Sequence, residues 1–228
     1  MVAEKINDNK PDSDNTDTGL HLLRHTVAAS VSHALLQRAH SSQAVQNAFL
    51  AAVVYAHQQL FAKPRLWLEL ENHGRSAVPT IPAAHNTVGW LATRYPVVFD
   101  APAQPTGASA RAQVKSAMAE LPHHGKSYGL LHMQGKPGLA FNPDILFYYR
   151  GRLDSSFRTE ALFPVFNVQH MNQTHRASPS QQRLPLHLSV RRSNDGFECL
   201  FHFDKQAYSI AQVTQLVALM ESALQEMD

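Results

Sequence analysis

The sequence has a single cysteine, Cys199, in 228 residues. That excludes an intrachain disulfide framework and a CxxC redox or zinc pair, and it suits a reducing cytoplasmic compartment. Cys199 itself lies in the alternating run "FECLFHF" and reads as a half-buried structural thiol. Charged residues are also sparse, at 17% with a formal net charge of +2. No basic block or stripe marks a nucleic-acid surface. There is no apolar run long enough to span a bilayer, and the start "MVAEKINDNKPDSDNTD" has no apolar leader core. Gly-rich phosphate loops of either common type are missing as well.

What the chain does have is 44% hydrophobic residues, enough for one packed core. Residues 1–17 hold five acidic residues against two lysines and almost nothing apolar, which predicts a disordered acidic tail. Residues 18–228 then form a single domain. Its first segment, "LHLLRHTVAASVSHALLQRAH", places Leu20, Leu23, Val27, Val31, Ala34 and Leu35 at helical spacing. A second helix, capped by Ser41 or Ser42, carries the stripe Val45, Phe49, Ala52, Val53, Ala56 and Leu60 up to Lys63-Pro64. "RLWLELE" then alternates Leu66, Leu68 and Leu70 against Trp67, Glu69 and Glu71, a strand with its leucine face inward.

Beyond a loop at 76–86, "TVGWLATRYPVVFD" reads as a strand interrupted by Pro96, and "GASARAQVKSAMAEL" as a helix. A Gly/His/Pro-rich loop leads to the strand "ILFYYRGRLD". Further strands are expected at "LFPVFNVQH", "LPLHLSVRR" and "FECLFHFD", the last two joined by a hairpin at Asp-Gly. A C-terminal helix steps through Ile210, Val213, Val217, Met220, Leu224 and Met227. The fold class is α/β, a mixed sheet flanked by helices.

Fourteen histidines raise the question of a metal. His21 and His25 have the i, i+4 spacing of a helical ligand pair, but no further ligand completes a set, so no metal site is assigned. His123 and His124 could serve as base and partner in acyl transfer, although a loop pair after a helix more often faces solvent. Glu71 stands out more, at the end of a strand, on its non-leucine face, beside a His73-Gly74-Arg75 turn. A carboxylate there can take a proton next to a carbonyl when desolvation raises its pKa. The plainer reading of the same residues is an ion pair between Glu71 and Arg75 closing the turn.

The order of several stretches resembles the second half of the epimerization domains of nonribosomal peptide synthetases, relatives of the condensation domains. The stretches are "LLQRAH" at 35–40, "ENHGRS" at 71–76, "NTVGWLATRYP" at 86–96, "PHHGKSYGLL" at 122–131 and "FYYRGRLD" at 147–154. The resemblance implies half of a chloramphenicol-acetyltransferase-like fold, with an active-site tunnel formed between two halves. It assigns the catalytic carboxylate to Glu71, and tunnel or motif roles to His73, Gly74, Arg75, Gly89, Trp90, Tyr95 and Tyr128. In that family the first half contributes a His-His-x-x-x-Asp-Gly motif, and no such motif occurs in these 228 residues; "HHGKSYG" has Tyr128 where the Asp belongs.

The family pattern is also altered at Asn72, Ser76, Asn86, Leu91, Ser127, Tyr148, Arg150 and Arg152. No cofactor is expected to bind directly; the phosphopantetheine arm of a carrier protein would tether the substrate. Expected partners are a carrier protein or synthetase module, a separate N-terminal half-domain, or a second copy forming a homodimer, with neither nucleic acid nor membrane among them. Activity in isolation is not expected, because inverting a stereocentre requires a proton to leave one face and return to the other.

Overall fold

The computed structural model describes residues 20–75, 86–89, 91–137, 139, 141–152, 185–193 and 196–226. The acidic tail, Trp90 and the strand expected at "LFPVFNVQH" lie outside them. The elements are β1 (Leu20–Thr26), α1 (Ala29–Arg38), α2 (Ser42–Phe61), β2 (Arg65–Asn72), β3 (Thr93–Asp100), α3 (Gly107–Glu120), α4 (Lys126–Met133), β4 (Ile145–Arg152), β5 (Leu186–Ser193), β6 (Gly196–Asp204) and α5 (Ile210–Gln225).

The strands form one six-stranded mixed sheet in the order β1-β6-β5-β4-β2-β3. Strands β2, β4 and β5 are mutually parallel neighbours, and the pairs β2–β3, β5–β6 and β6–β1 are antiparallel. Strands β5 and β6 pair antiparallel, as the hairpin signalled by Asp-Gly requires, their ladder ending at Ser193 opposite Gly196.

One face of the sheet is buried by the strict alternation of its strands. Leu66, Leu68 and Leu70 of β2, Tyr95, Val97 and Phe99 of β3, and Ile145 and Phe147 of β4 share it with Phe197, Phe201 and Phe203 of β6. Against it lie α2, whose N-terminus is capped by the Ser41 hydroxyl accepting from the Ala44 N–H, and α5, whose Ser209 and Gln212 form a capping box. Phe49 and Phe197 meet edge to face, with ring centroids 5.1 Å apart, where α2 crosses β6. Asp144 ties the start of β2 to the end of α2: it accepts from the Trp67 N–H at 3.0 Å and from Lys63 at 2.8 Å.

Four expectations are corrected here. Residues 20–26 are a strand, not the start of a helix, because β6 offers a full ladder of backbone partners to a segment whose local periodicity was ambiguous. His21 and His25 therefore sit along a strand, about 13 Å apart by the rise per residue, and are not one turn of a helix apart. Strand β3 begins only at Thr93 and runs through Pro96 unbroken, which an edge strand tolerates because the missing N–H costs no ladder bond on its open side. The loop expected after α3 contains a short 3-10 turn, Pro122–Gly125, and the helix α4.

Cys199 is fully buried, and burial, reinforced by Glu198 and Glu221, pushes its thiol up to about 12. Among the described residues, no helix is long and apolar enough to cross a membrane.

Candidate functional site

Strand β2 delivers Glu69 and Glu71 to the face of the sheet opposite the core, where the strand's alternation leaves Trp67 beside them. Register places Arg94 of β3 directly across from Glu71 on one side and Tyr148 of β4 on the other. The Arg94 guanidinium donates through Nε to Glu71 Oε2 at 2.8 Å. The carboxylate side chain is only 10% exposed while the arginine remains 47% exposed, so the pair orients Glu71 more than it stabilises the fold. The Glu71–Arg75 ion pair of the plainer reading is thus replaced: antiparallel pairing brings Arg94 within reach, a contact that spans 23 positions of sequence.

Arg75 is occupied differently. Its Nη1 donates to the carbonyl of Thr87 and its Nη2 to that of Gly89 at 3.0 Å, stitching the end of β2 to the segment that leads into β3. Its backbone N–H donates to His73 Nδ1 at 3.0 Å, which places the proton of a neutral His73 on Nε2. Gly74 sits between them at φ +67°, with its α-carbon so close to Leu91 that a β-carbon would lie 1.7 Å from the carbonyl oxygen. His73-Gly74-Arg75 is therefore a clasp between two chain segments, and it sets the position of the Glu71 end of the strand.

The electrostatics around the carboxylate follow from its neighbours. Burial, with Glu71 adding to it and Arg150 opposing, raises the Tyr148 phenol above its ordinary value, so at neutral pH it is a neutral hydrogen-bond donor. Glu69, one step down the strand, is also raised, by burial first and by Glu71, against the lowering effect of Arg94. The arrangement offers a fixed carboxylate with a protonated phenol beside it, which suits abstraction of a proton adjacent to a carbonyl.

The remaining sequence candidates are dispersed around this point. Tyr95 faces the core; its ring lies beneath Gly125 and its hydroxyl bonds the Asn72 side chain. Tyr128 of α4 donates to the Leu139 carbonyl at 2.7 Å, and its ring meets Phe141 edge to face, which in turn approaches Trp67. Gly89 contributes its carbonyl to Arg75. His123 and His124 are exposed. No cluster of three or more metal-ligating side chains occurs among the described residues. Sequence reasoning missed the roles of Arg94 and Tyr148, which only strand register brings to Glu71.

Comparison with known proteins adds three findings. Residues 6–227 match the family model described as Condensation domain. Bacitracin synthase 2 of Bacillus licheniformis is 32% identical over 143 residues, 60% of this chain and 6% of that protein, and surfactin synthase subunit 2 of Bacillus subtilis (strain 168) is 28% identical over 122 residues, 53% of this chain and 3% of that protein. In three dimensions the chain is similar to the crystal structure of the epimerization domain from the third module of tyrocidine synthetase B, at a TM-score of 0.72 and 21% identity, covering 95% of this chain and 49% of that one. The X-domain from teicoplanin biosynthesis follows at 0.58 and 16%, covering 91% and 47%. The chain spans about half the length of these solved domains and a few per cent of the synthases.

Proposed function

Since the chain belongs to the condensation-domain family, we propose that it forms the C-terminal wall of a thioester site of the epimerization type in nonribosomal peptide assembly. The substrate is an aminoacyl or peptidyl group tethered by the phosphopantetheine arm of a carrier protein. Glu71 takes the α-proton: the Cα–H bond breaks, its electron pair moves toward the thioester carbonyl, and the proton rests on the carboxylate. A histidine from the other wall, contributed by polypeptide outside these 228 residues, returns a proton to the opposite face. The observation that carries this reading is the Glu71 carboxylate itself, fixed by Arg94 at the mouth of the His73-Gly74-Arg75 clasp.

A second reading, a non-catalytic module that binds a carrier protein or synthetase domain or pairs with a second copy, draws support from the altered motif positions. Tyr148 stands beside the carboxylate, with Arg150 close enough to act on its phenol, where the family pattern has other residues. One substitution separates the two readings. With the completing half present, Glu71→Gln is expected to lower turnover by about a thousandfold or more while association with the carrier protein stays as in the parent. Turnover within about twofold of the parent would favour the binding module.

A further inference from the structure

Helix α4 contributes no buried residue to the fold, yet three of its eight positions are large and apolar. Leu130 is 60% exposed, Leu131 37% and Met133 85%. A helix this short is marginal in water without packing on an apolar face. What holds it here lies at its N-terminal end: the hydroxyl bond of Tyr128, and the packing of Gly125 on the ring of Tyr95, where a β-carbon would come within 2.2 Å. The apolar side chains toward its C-terminal end remain in water.

The approach to the helix is strained as well. His123 and His124 both adopt left-handed backbone conformations, at φ 48° and 54°, which side-chain-bearing residues seldom hold. That strain allows the chain to reverse from α3 and present α4 outward.

Charge says what would cover it. From Leu121 to Pro143 the chain has Lys126, Lys136, His123, His124 and His132, and neither an aspartate nor a glutamate. His123, His124, His132 and Lys136 are exposed around the apolar positions. The acidic residues that bracket the stretch are engaged elsewhere: Glu120 accepts from Ser116 on α3, and Asp144 holds Lys63 and the Trp67 N–H. An apolar patch with Lys126 and Lys136 at its two ends, imidazole donors around it and no carboxylate in the stretch fits a partner helix with leucine-like side chains on one face and carboxylates at its borders.

We propose that α4 with its flanking lysines is a docking surface for an acidic amphipathic helix of a partner protein. Contact would be made by Leu130, Leu131 and Met133, with Lys136 steering the approach. The proposal is independent of any role for Glu71.

The test uses the full chain and a fluorescently labelled 18-residue peptide with Leu at i, i+3, i+4 and i+7 and Glu or Asp elsewhere, followed by anisotropy. The peptide is expected to bind, and to bind more weakly as salt rises. Leu130→Glu with Met133→Glu is expected to weaken binding about tenfold or more without moving the unfolding midpoint, since neither residue is buried. Lys136→Glu, which leaves the apolar patch intact, is expected to weaken it at low salt only. Equal binding of a peptide with Lys in place of every acidic residue, or parent-like binding by the Leu130/Met133 variant, would overturn the proposal. So would a dimer of the parent chain that the same variant dissociates, because the patch would then be covered by a second copy.

Discussion

Replacing Gly74 by alanine is expected to lower stability by about 2–4 kcal/mol and to remove the Glu71 site with it. Two causes act together. The backbone at φ +67° is one that L side chains rarely adopt, and a β-carbon would meet the Leu91 carbonyl oxygen at 1.7 Å, so the turn must open. Opening it separates Arg75 from the carbonyls of Thr87 and Gly89 and frees the segment entering β3, on which Arg94 holds the carboxylate. Thermal unfolding measures the first effect, as a fall in midpoint of roughly 5–15 °C for a chain of this size. An unchanged midpoint would show that the clasp is dispensable for the fold. Serine at the same position is expected to behave like alanine, because the obstacle is the β-carbon and not its polarity.

Acidification is expected to destabilise the chain through His57, and His57→Leu is expected to abolish that part of the effect. His57 is 0% exposed on α2, its ring tilted against that of Phe61 with centroids 4.8 Å apart, and neither ring nitrogen has a hydrogen-bond partner among the described residues. Desolvation lowers its pKa from 6.5 to about 4, with Asp144 opposing and Lys63 assisting. The unfolded chain therefore binds this proton near pH 6.5 while the folded chain resists it until about pH 4. Stability is full above pH 6.5, falls as pH drops through that window, and has lost about 3 kcal/mol from this group once below it. Urea midpoints at pH 7.5 and pH 4.5 for parent and His57→Leu measure the difference. The parent should lose about 2–3 kcal/mol more than the variant over that interval. Equal losses would mean that His57 is protonated in the folded chain at ordinary pKa, and that its surroundings are wetter than the packing implies.

The residues that were legible in the sequence are those whose environment is set locally. The leucines of β2 alternate cleanly, Ser41 precedes α2 at capping distance, and Asp-Gly signals the antiparallel β5–β6 pairing that the ladder shows. In each case the pattern and the structure follow from the same periodicity. The segment Leu20–Thr26 was not legible, because its strand character comes from β6, more than 170 positions away. Helix α4 was hidden by Gly125 at its N-cap, by Gly129 inside it and by the absence of any buried stripe. The ordered motifs pointed to Glu71 and the His73-Gly74-Arg75 turn. They could not reveal that Arg94 rather than Arg75 holds the carboxylate, since that depends on the β2–β3 register.

The central claim is that Glu71 supplies one base of a site whose second base lies outside this chain. The measurement that tests it most directly is deuterium incorporation from D2O at the α-carbon of an aminoacyl group loaded on a carrier protein. The chain alone is expected to give no exchange above the protein-free rate and no inversion. Addition of a condensation-type N-terminal half bearing the His-His-x-x-x-Asp-Gly motif should produce both, and Glu71→Gln should remove them. Inversion catalysed by the 228-residue chain alone, or undiminished by Glu71→Gln in the completed assembly, would contradict the account.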